Sequence, residues 1–323
     1  MTTSEPQPLA LRRGRRDARA YAVLAAGLVV AGSSIRTAAA DEMQREHRGD
    51  IAAAAVGLIP GLGQIYLGRP KSGAAYGGLT VALGAAGWWL NGRSFGTLTT
   101  PASLKAALGV QFLLHAEKTV WFASIYDAYS SKRPSRLSLD ELIAAPFSPR
   151  RMRHPFVWAG AIVLGLATFA EAQGLGGPIN PIWTARKIQI GSLTTDALTA
   201  GIVSTGFSAS ANIAHAAGEE ALFRGVIQDE LVVQLGVPAA IAITSAGFGL
   251  AHLGSAAKYD LKGVAAVVVP RTIAGVYFGT GYEATGDLGI SVATHFWVNM
   301  SSEIAQMLLV RDGSYYISLQ SAF

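Results

Sequence analysis

Between residues 51 and 310 the chain is a succession of apolar segments, at 51–67, 72–90, 105–127, 155–173, 195–212, 213–235, 238–255, 263–282 and 287–310. Each run is continuous and dominated by Leu, Ala and Gly, so none shows the strict alternation of a barrel strand. Crossing a bilayer takes about 20 apolar residues. Several segments fall short of that or are interrupted by Gly and Pro, which helical bundles tolerate because neighbours satisfy the freed backbone. Composition agrees: 50% of residues are hydrophobic and 15% charged, against about 25% charged in soluble domains. The expectation is an all-α, polytopic helical membrane protein with about 8–10 hydrophobic segments, several short or broken.

The charges that remain are clustered. Arg12, Arg13, Arg15, Arg16 and Arg19 lie near the start, and Lys132, Arg133, Arg136, Arg150, Arg151 and Arg153 lie in the middle. With a net charge of +5, this is the pattern of basic loops at an anionic lipid surface, and no nucleic-acid partner is expected. The absence of cysteine excludes disulfides, thiolate metal sites and Cys nucleophiles.

Residues 1–40 combine a basic start, a short apolar core and a "TAAAD" ending, which reads as a signal peptide cleaved after Ala40 or as a first transmembrane helix. Counting alternating spans from a cytoplasmic N-terminus places Arg69, Lys71, the basic 128–154 stretch, Lys258, Lys262 and Arg311 inside. The linkers 91–104 and 174–194 fall outside. The expected domains are an N-terminal helical module (41–130), a basic cytoplasmic linker (131–154), a C-terminal module (155–311) and a tail (312–323).

"LIPGLGQIYLGRPKSGAAYG", residues 58–77, resembles the P-G-x-G-Q-x-Y-x-G signature of small bacterial membrane modules, loosely as far as "YDAYSSKR" at 126–133. Pro60, Gly61 and Gly63 should break the helix at the interface, and Tyr66 should anchor it there. A helical-hairpin turn is the plain reading. His115, Glu117 and Lys118 share one segment and are expected to pair inside the bundle.

Three polar clusters interrupt the C-terminal module: Glu219, Glu220 and Arg224; His252, four residues after Phe248; and His295 with Asn299. A charge at the bilayer centre costs about 2.5–3.5 kcal/mol. Glu220 and Arg224, spaced i,i+4, can offset much of this by pairing. Glu219, rotated about 100° away, needs its own partner or a proton. His295 and Asn299 are also i,i+4, two donors on one face, which alone would serve as interhelical glue. Together the clusters are complementary. Glu219 with His252 can hold and deprotonate a water, and His295 with Asn299 can stabilise the oxyanion formed when that water attacks a carbonyl. There is no G-x-S-x-G, and Ser301 and Ser302 lack a strained elbow. Arg271, after Pro270, is expected to pair with Glu283 or a site carboxylate.

"EEALFRG", "FGLAH" and "HFWVN", in this order, resemble the E-E-x-x-x-R, F-x-x-x-H and H-x-x-x-N motifs of the CAAX-protease and bacteriocin-processing family of intramembrane proteases, whose eukaryotic members include the Ras-converting prenyl protease. The resemblance covers roughly 155–311 and includes the glycine-rich "VYFGTGYEATGDLG" before the last motif. It implies that Glu219 and His252 activate water, that His295 and Asn299 form the oxyanion hole, and that Glu220, Arg224 and Phe248 support them. It implies an endopeptidase acting on a membrane-anchored peptide or protein. The N-terminal module resemblance and the Arg/Ala/Gly-rich composition point to a bacterial inner membrane, with the site expected to open to the cytoplasmic side. No cofactor is expected. Zinc held by Glu219, His252 and His295 is the alternative, disfavoured because an amide is a poor zinc ligand and there is no H-E-x-x-H. A non-catalytic scaffold or bacteriocin-immunity protein is a second reading, and a proton-coupled transporter a third.

Overall fold

The computed structural model describes residues 49–94, 101–133, 136–173, 179–181, 187–190, 193–256, 260–311 and 314–317. The readings made for residues 1–40 therefore lie outside the described residues. Seven helical runs form the bundle. They are α3 (Pro70–Ser94), α4 (Pro101–Tyr129), α7 (Pro155–Gln173), α8 (Ala197–Leu222) continuing into α9 (Asp229–Leu235), α10 (Val237–Leu250), α12 (Leu261–Thr285) and α13 (Leu288–Leu308). Shorter pieces fill in around them: α1 (Ile51–Val56), α2 (Leu62–Tyr66), α5 (Leu139–Ala144), α6 (Pro149–Met152) and α11 (Leu253–Ala256). Local chemistry sets the ends. Asp196 and Asp260 cap α8 and α12 by accepting from the Thr199 and Gly263 amides. Gly286, at φ 65, closes α12 in the left-handed region.

The surface is apolar and the interior holds the charge. Leu261, Trp88 and Val81 are 84%, 78% and 70% exposed, whereas Gln64, Glu220, Arg224 and Gln228 are fully buried. Such a reversal is stable only where the surrounding solvent is itself apolar. Among the described residues, Gly263–Thr285 is long and apolar enough to cross a membrane, and Pro155–Phe169 and Val237–Leu250 are shorter apolar helices. The protein is a helical membrane protein, as the apolar segments imply.

Two expectations change. The segments 195–212 and 213–235 are not separate spans: α8 runs unbroken across Asn212 and passes through a π-helical stretch, Phe223–Gln228, directly into α9. This removes one crossing from the count and reverses the side of everything after it. Arg311, expected on the side of the basic linker, instead pairs with Ile179, from the linker expected on the other side. Lys258 lies outside the described residues, and α12, which begins at Leu261, runs toward the basic-linker end. The second change is a small sheet, an addition to the helical fold, with strands β1 (Ile179–Pro181), β2 (Lys187–Ile190), β3 (Leu193–Thr195), β4 (Leu309–Arg311) and β5 (Ser314–Ile317) in the order β1-β4-β5-β2-β3. It is antiparallel except for the β2–β5 pair. It gathers the C-terminal ends of α7 and α13 and the N-terminal end of α8, opposite the basic linker.

The P-G-x-G-Q motif makes a short hairpin, α1 to α2, that folds back against α4. Gly61 turns it at φ 83, and Gln64 locks it. The Gln64 amide nitrogen donates to the Ser124 carbonyl at 2.7 Å and to Asp127 at 3.0 Å, while its oxygen accepts from the Ser124 hydroxyl at 3.1 Å. Every polar atom of a fully buried side chain is thus used, which is what the interior demands. A Cβ on Gly61 would lie 2.1 Å from the Gly73 carbonyl oxygen, whereas one on Gly68, at φ 74, would meet nothing. Gly68→Ala should therefore cost only the roughly 1–2 kcal/mol of a left-handed residue. Gly61→Ala should cost clearly more, read as a lower melting temperature in detergent.

Candidate active site

The polar residues of α8 point into the bundle where α8, α10, α12 and α13 meet. Glu220 is the hub of one group. Its Oε1 accepts from Arg224 Nη1 at 3.2 Å and lies 2.9 Å from His295 Nδ1, and its Oε2 accepts from the Ser291 hydroxyl at 2.7 Å. Arg224 also donates to the Gly275 carbonyl at 2.9 Å, and one turn on, Gln228 donates to the Gly279 carbonyl at 3.1 Å. Glycine leaves room at both places: a Cβ would lie 3.1 Å from Ser245 Cα and 3.2 Å from Arg224 Nη2 at Gly275, and 2.5 Å from Gln228 Oε1 at Gly279. The glycine-rich stretch of α12 is therefore a docking strip for two side chains of the π-helical segment. Phe248 seats the guanidinium, its ring centroid 4.7 Å from Arg224 Cζ, and Phe278 stacks on His295 at 4.7 Å.

Glu219 belongs to a second group. Its Oε1 contacts His215 Nε2 one turn back, and its Oε2 is buried with no hydrogen-bond partner in the protein. Ligating atoms of His215, Glu219 and His252 all lie within 4.8 Å of one another. His252 Nδ1 donates to the Phe248 carbonyl at 2.8 Å. A carbonyl can only accept, so Nδ1 carries the proton and Nε2 keeps its lone pair.

The four residues read from the motifs are thus distributed as follows. Glu219 and His252 come together. His295 joins the Glu220 group, its ring 6.1 Å from that of His215. Asn299 donates to Asn212 Oδ1 at 3.1 Å, tying α13 to α8 one turn beyond His295. The donor set open to a metal differs from the one read in the sequence: His215 takes the place of His295, whose Nδ1 is turned to Glu220. Arg271 does not reach Glu283, which sits twelve residues further along the same helix and accepts from Gln228 at 3.0 Å. Arg271 donates instead to the Val267 carbonyl at 2.8 Å, in the turn that Pro270 interrupts.

The sequence reading missed His215, Gln228, Ser291 and Asn212. His215 carried a signal: it stands four residues before Glu219, the spacing that pairs Glu220 with Arg224. Its ring also lies 5.1 Å from that of His115 on α4, the bundle neighbour expected for His115.

The Glu220–Arg224 pair is fully enclosed, so removing one partner strands the other. Arg224→Ala should cost about 3–5 kcal/mol and Ser291→Ala about 1.5–3 kcal/mol, both measurable as lost thermal stability and folded yield in detergent.

The family model described as type II CAAX prenyl endopeptidase Rce1-like matches residues 201–301. No curated protein and no solved structure matches the chain. The match takes in both polar groups, from Asn212 to Asn299. Residues 201–301, and with them every residue placed in the candidate site, are thus similar to the Rce1-like type II CAAX prenyl endopeptidases.

Proposed function

We propose that the protein is an intramembrane endopeptidase in which Glu219 and His252 activate a water for attack on a peptide bond. The similarity of residues 201–301 to the type II CAAX prenyl endopeptidase model supports a CAAX-type endopeptidase of the membrane. The reading of mechanism rests on one observation above all: Glu219 Oε2 is buried with no hydrogen-bond partner in the protein, and ligating atoms of Glu219 and His252 lie within 4.8 Å of each other. A buried polar atom left unpaired costs about 1–3 kcal/mol, which a water bound at Glu219 Oε2 would offset.

In this scheme the water donates to Glu219 and to His252 Nε2, and its oxygen attacks the scissile carbonyl carbon as its proton passes to the pair. His215 fixes the carboxylate through Oε1. Asn299, with one amide hydrogen on Asn212 and a second remaining, donates to the developing oxyanion. His295 gives Nδ1 to Glu220, which fixes its ring beside the site and leaves Nε2 as the nitrogen that would face the oxyanion. Collapse breaks the C–N bond, and the proton held by the Glu219–His252 pair leaves on the amine.

The substrate is a peptide or membrane-anchored protein presented to the half of the bundle nearest the basic linker. By the positive-inside rule that half is cytoplasmic, and the membrane is a bacterial inner membrane. The His215, Glu219 and His252 donors are chemically able to hold zinc, which would polarise the carbonyl and acidify a bound water. The His215–Glu219 contact already commits two of the three donors to each other, and this favours the metal-free scheme.

Purified protein tested on a quenched peptide library separates the readings. Glu219→Gln should abolish cleavage while leaving the melting temperature within a degree or two of the parent's, which distinguishes it from Arg224→Ala. Asn299→Ala should lower the rate by about 10²–10³-fold, and chelators should leave activity intact. Cleavage by Glu219→Gln at the parent rate would overturn the assignment. Stoichiometric zinc lost together with activity would move it to the metal scheme.

A further inference from the structure

The basic linker takes no part in this chemistry, yet it builds a site of its own. At the end of the bundle opposite the sheet, a cavity of about 570 Å³ opens between the end of α4, Arg133, residues 136–154 and the turn from α12 to α13. Arg133, Arg136, Arg150, Arg151 and His154 line it.

Their positions are fixed by aspartates, which are too few to neutralise them. Arg133 pairs with Asp229. Arg136 and Arg69 share Asp127, at 2.8 and 3.0 Å. Arg150 and Arg151 share Asp287, at 2.5 and 3.2 Å. Among the residues that line the cavity, four arginines face one acid, Asp287, a charge of 4 − 1 = +3. Each guanidinium has five N–H donors, and the aspartates engage only one or two of each. The aspartates thus aim the arginines without exhausting them. His154 adds another donor: its Nδ1 accepts from the Phe156 amide at 3.3 Å, so a neutral ring carries its proton on Nε2. Leu137, Leu288 and Ile290 supply an apolar wall.

A cluster of forked donors with excess positive charge is complementary to a phosphate group. The place matters as much as the charge. The cavity lies at the ends of α4 and α12 and the start of α13, where a bilayer's headgroups meet the helix termini and basic pockets take anionic lipid heads. We propose that this arginine pocket binds a phosphate group, that of an anionic phospholipid headgroup or a free phosphate, with the lipid's glycerol end against the apolar wall.

The test uses the purified full chain in neutral detergent, with native mass spectrometry and calorimetry. The probes are dihexanoyl-phosphatidylglycerol, dihexanoyl-phosphatidylcholine, inorganic phosphate and acetate. The variant is Arg136→Gln/Arg150→Gln, chosen because Asp127 keeps Arg69 and Asp287 keeps Arg151. Arg150→Gln alone, at a side chain 75% exposed, is the control against misfolding. Phosphatidylglycerol should bind at least about tenfold more tightly than phosphatidylcholine, and the double variant should lose roughly tenfold or more as charge-assisted contacts are removed. Inorganic phosphate that competes fully identifies the phosphate group alone as sufficient. Phosphate that fails to compete while phosphatidylglycerol binds identifies the headgroup as the source. Equal binding of the two lipids, binding unchanged in a folded double variant, or acetate competing as well as phosphate would each overturn the proposal. No readout depends on proteolysis, so it stands or falls apart from the catalytic assignment.

Discussion

One carboxylate holds the C-terminal half together. Glu220 takes a guanidinium from its own helical run and an imidazole and a hydroxyl from α13, while the same guanidinium reaches the backbone of α12. In an apolar surrounding no water can stand in for any of these partners, so each bond holds in place the elements that supply the others. Helix association in lipid lacks the hydrophobic drive available in water. A polar knot of this kind supplies what a greasy core would supply in a soluble protein. It also fixes His295 by both its nitrogen and its stacked face, so the orientation of that ring follows from the knot.

The π-helical stretch from Phe223 to Gln228 follows directly on this hub. A π turn widens the helix and shifts the side chains after it around the axis, and such turns gather at functional positions. Here it brings Arg224 and Gln228 onto two successive glycines of α12, Gly275 and Gly279. Glu220 and Glu219, adjacent in sequence, are left in different surroundings: the first with both oxygens hydrogen-bonded, the second with one oxygen buried and without a partner in the protein. Two neighbouring carboxylates with two fates require a helix that controls rotation this closely.

Much of this was legible in the residues. The apolar runs gave the helical class, the i,i+4 spacing gave the Glu220–Arg224 pair, and complementary chemistry brought Glu219 to His252. Other parts could not be read. The polar residues around Asn212 looked like a gap between two spans, whereas Asn212 and His215 face the bundle interior and the helix continues through them. Read as a break, they added a crossing and misplaced Arg311. The sheet was hidden because its strands are three or four residues long, too short for alternation to show. The sharing of Asp127 and Asp287 by pairs of arginines depends on contacts across 58, 136 and 137 positions beside one across 9, beyond any local pattern.

The sheet has a mechanical consequence. It ties the far ends of α7, α8 and α13 by hydrogen bonds between β1 and β4 and between β2, β3 and β5. Among the described residues, no strand pairing joins the same three helices at the other end. A bundle fastened at one rim and merely buttoned at the other behaves as a clothes-peg: any parting of its helices must swing about the fastened rim and open widest at the buttoned one. That is the rim nearest Glu219, so a polypeptide too large for the closed interior has its least costly way in beside the residues that would cut it.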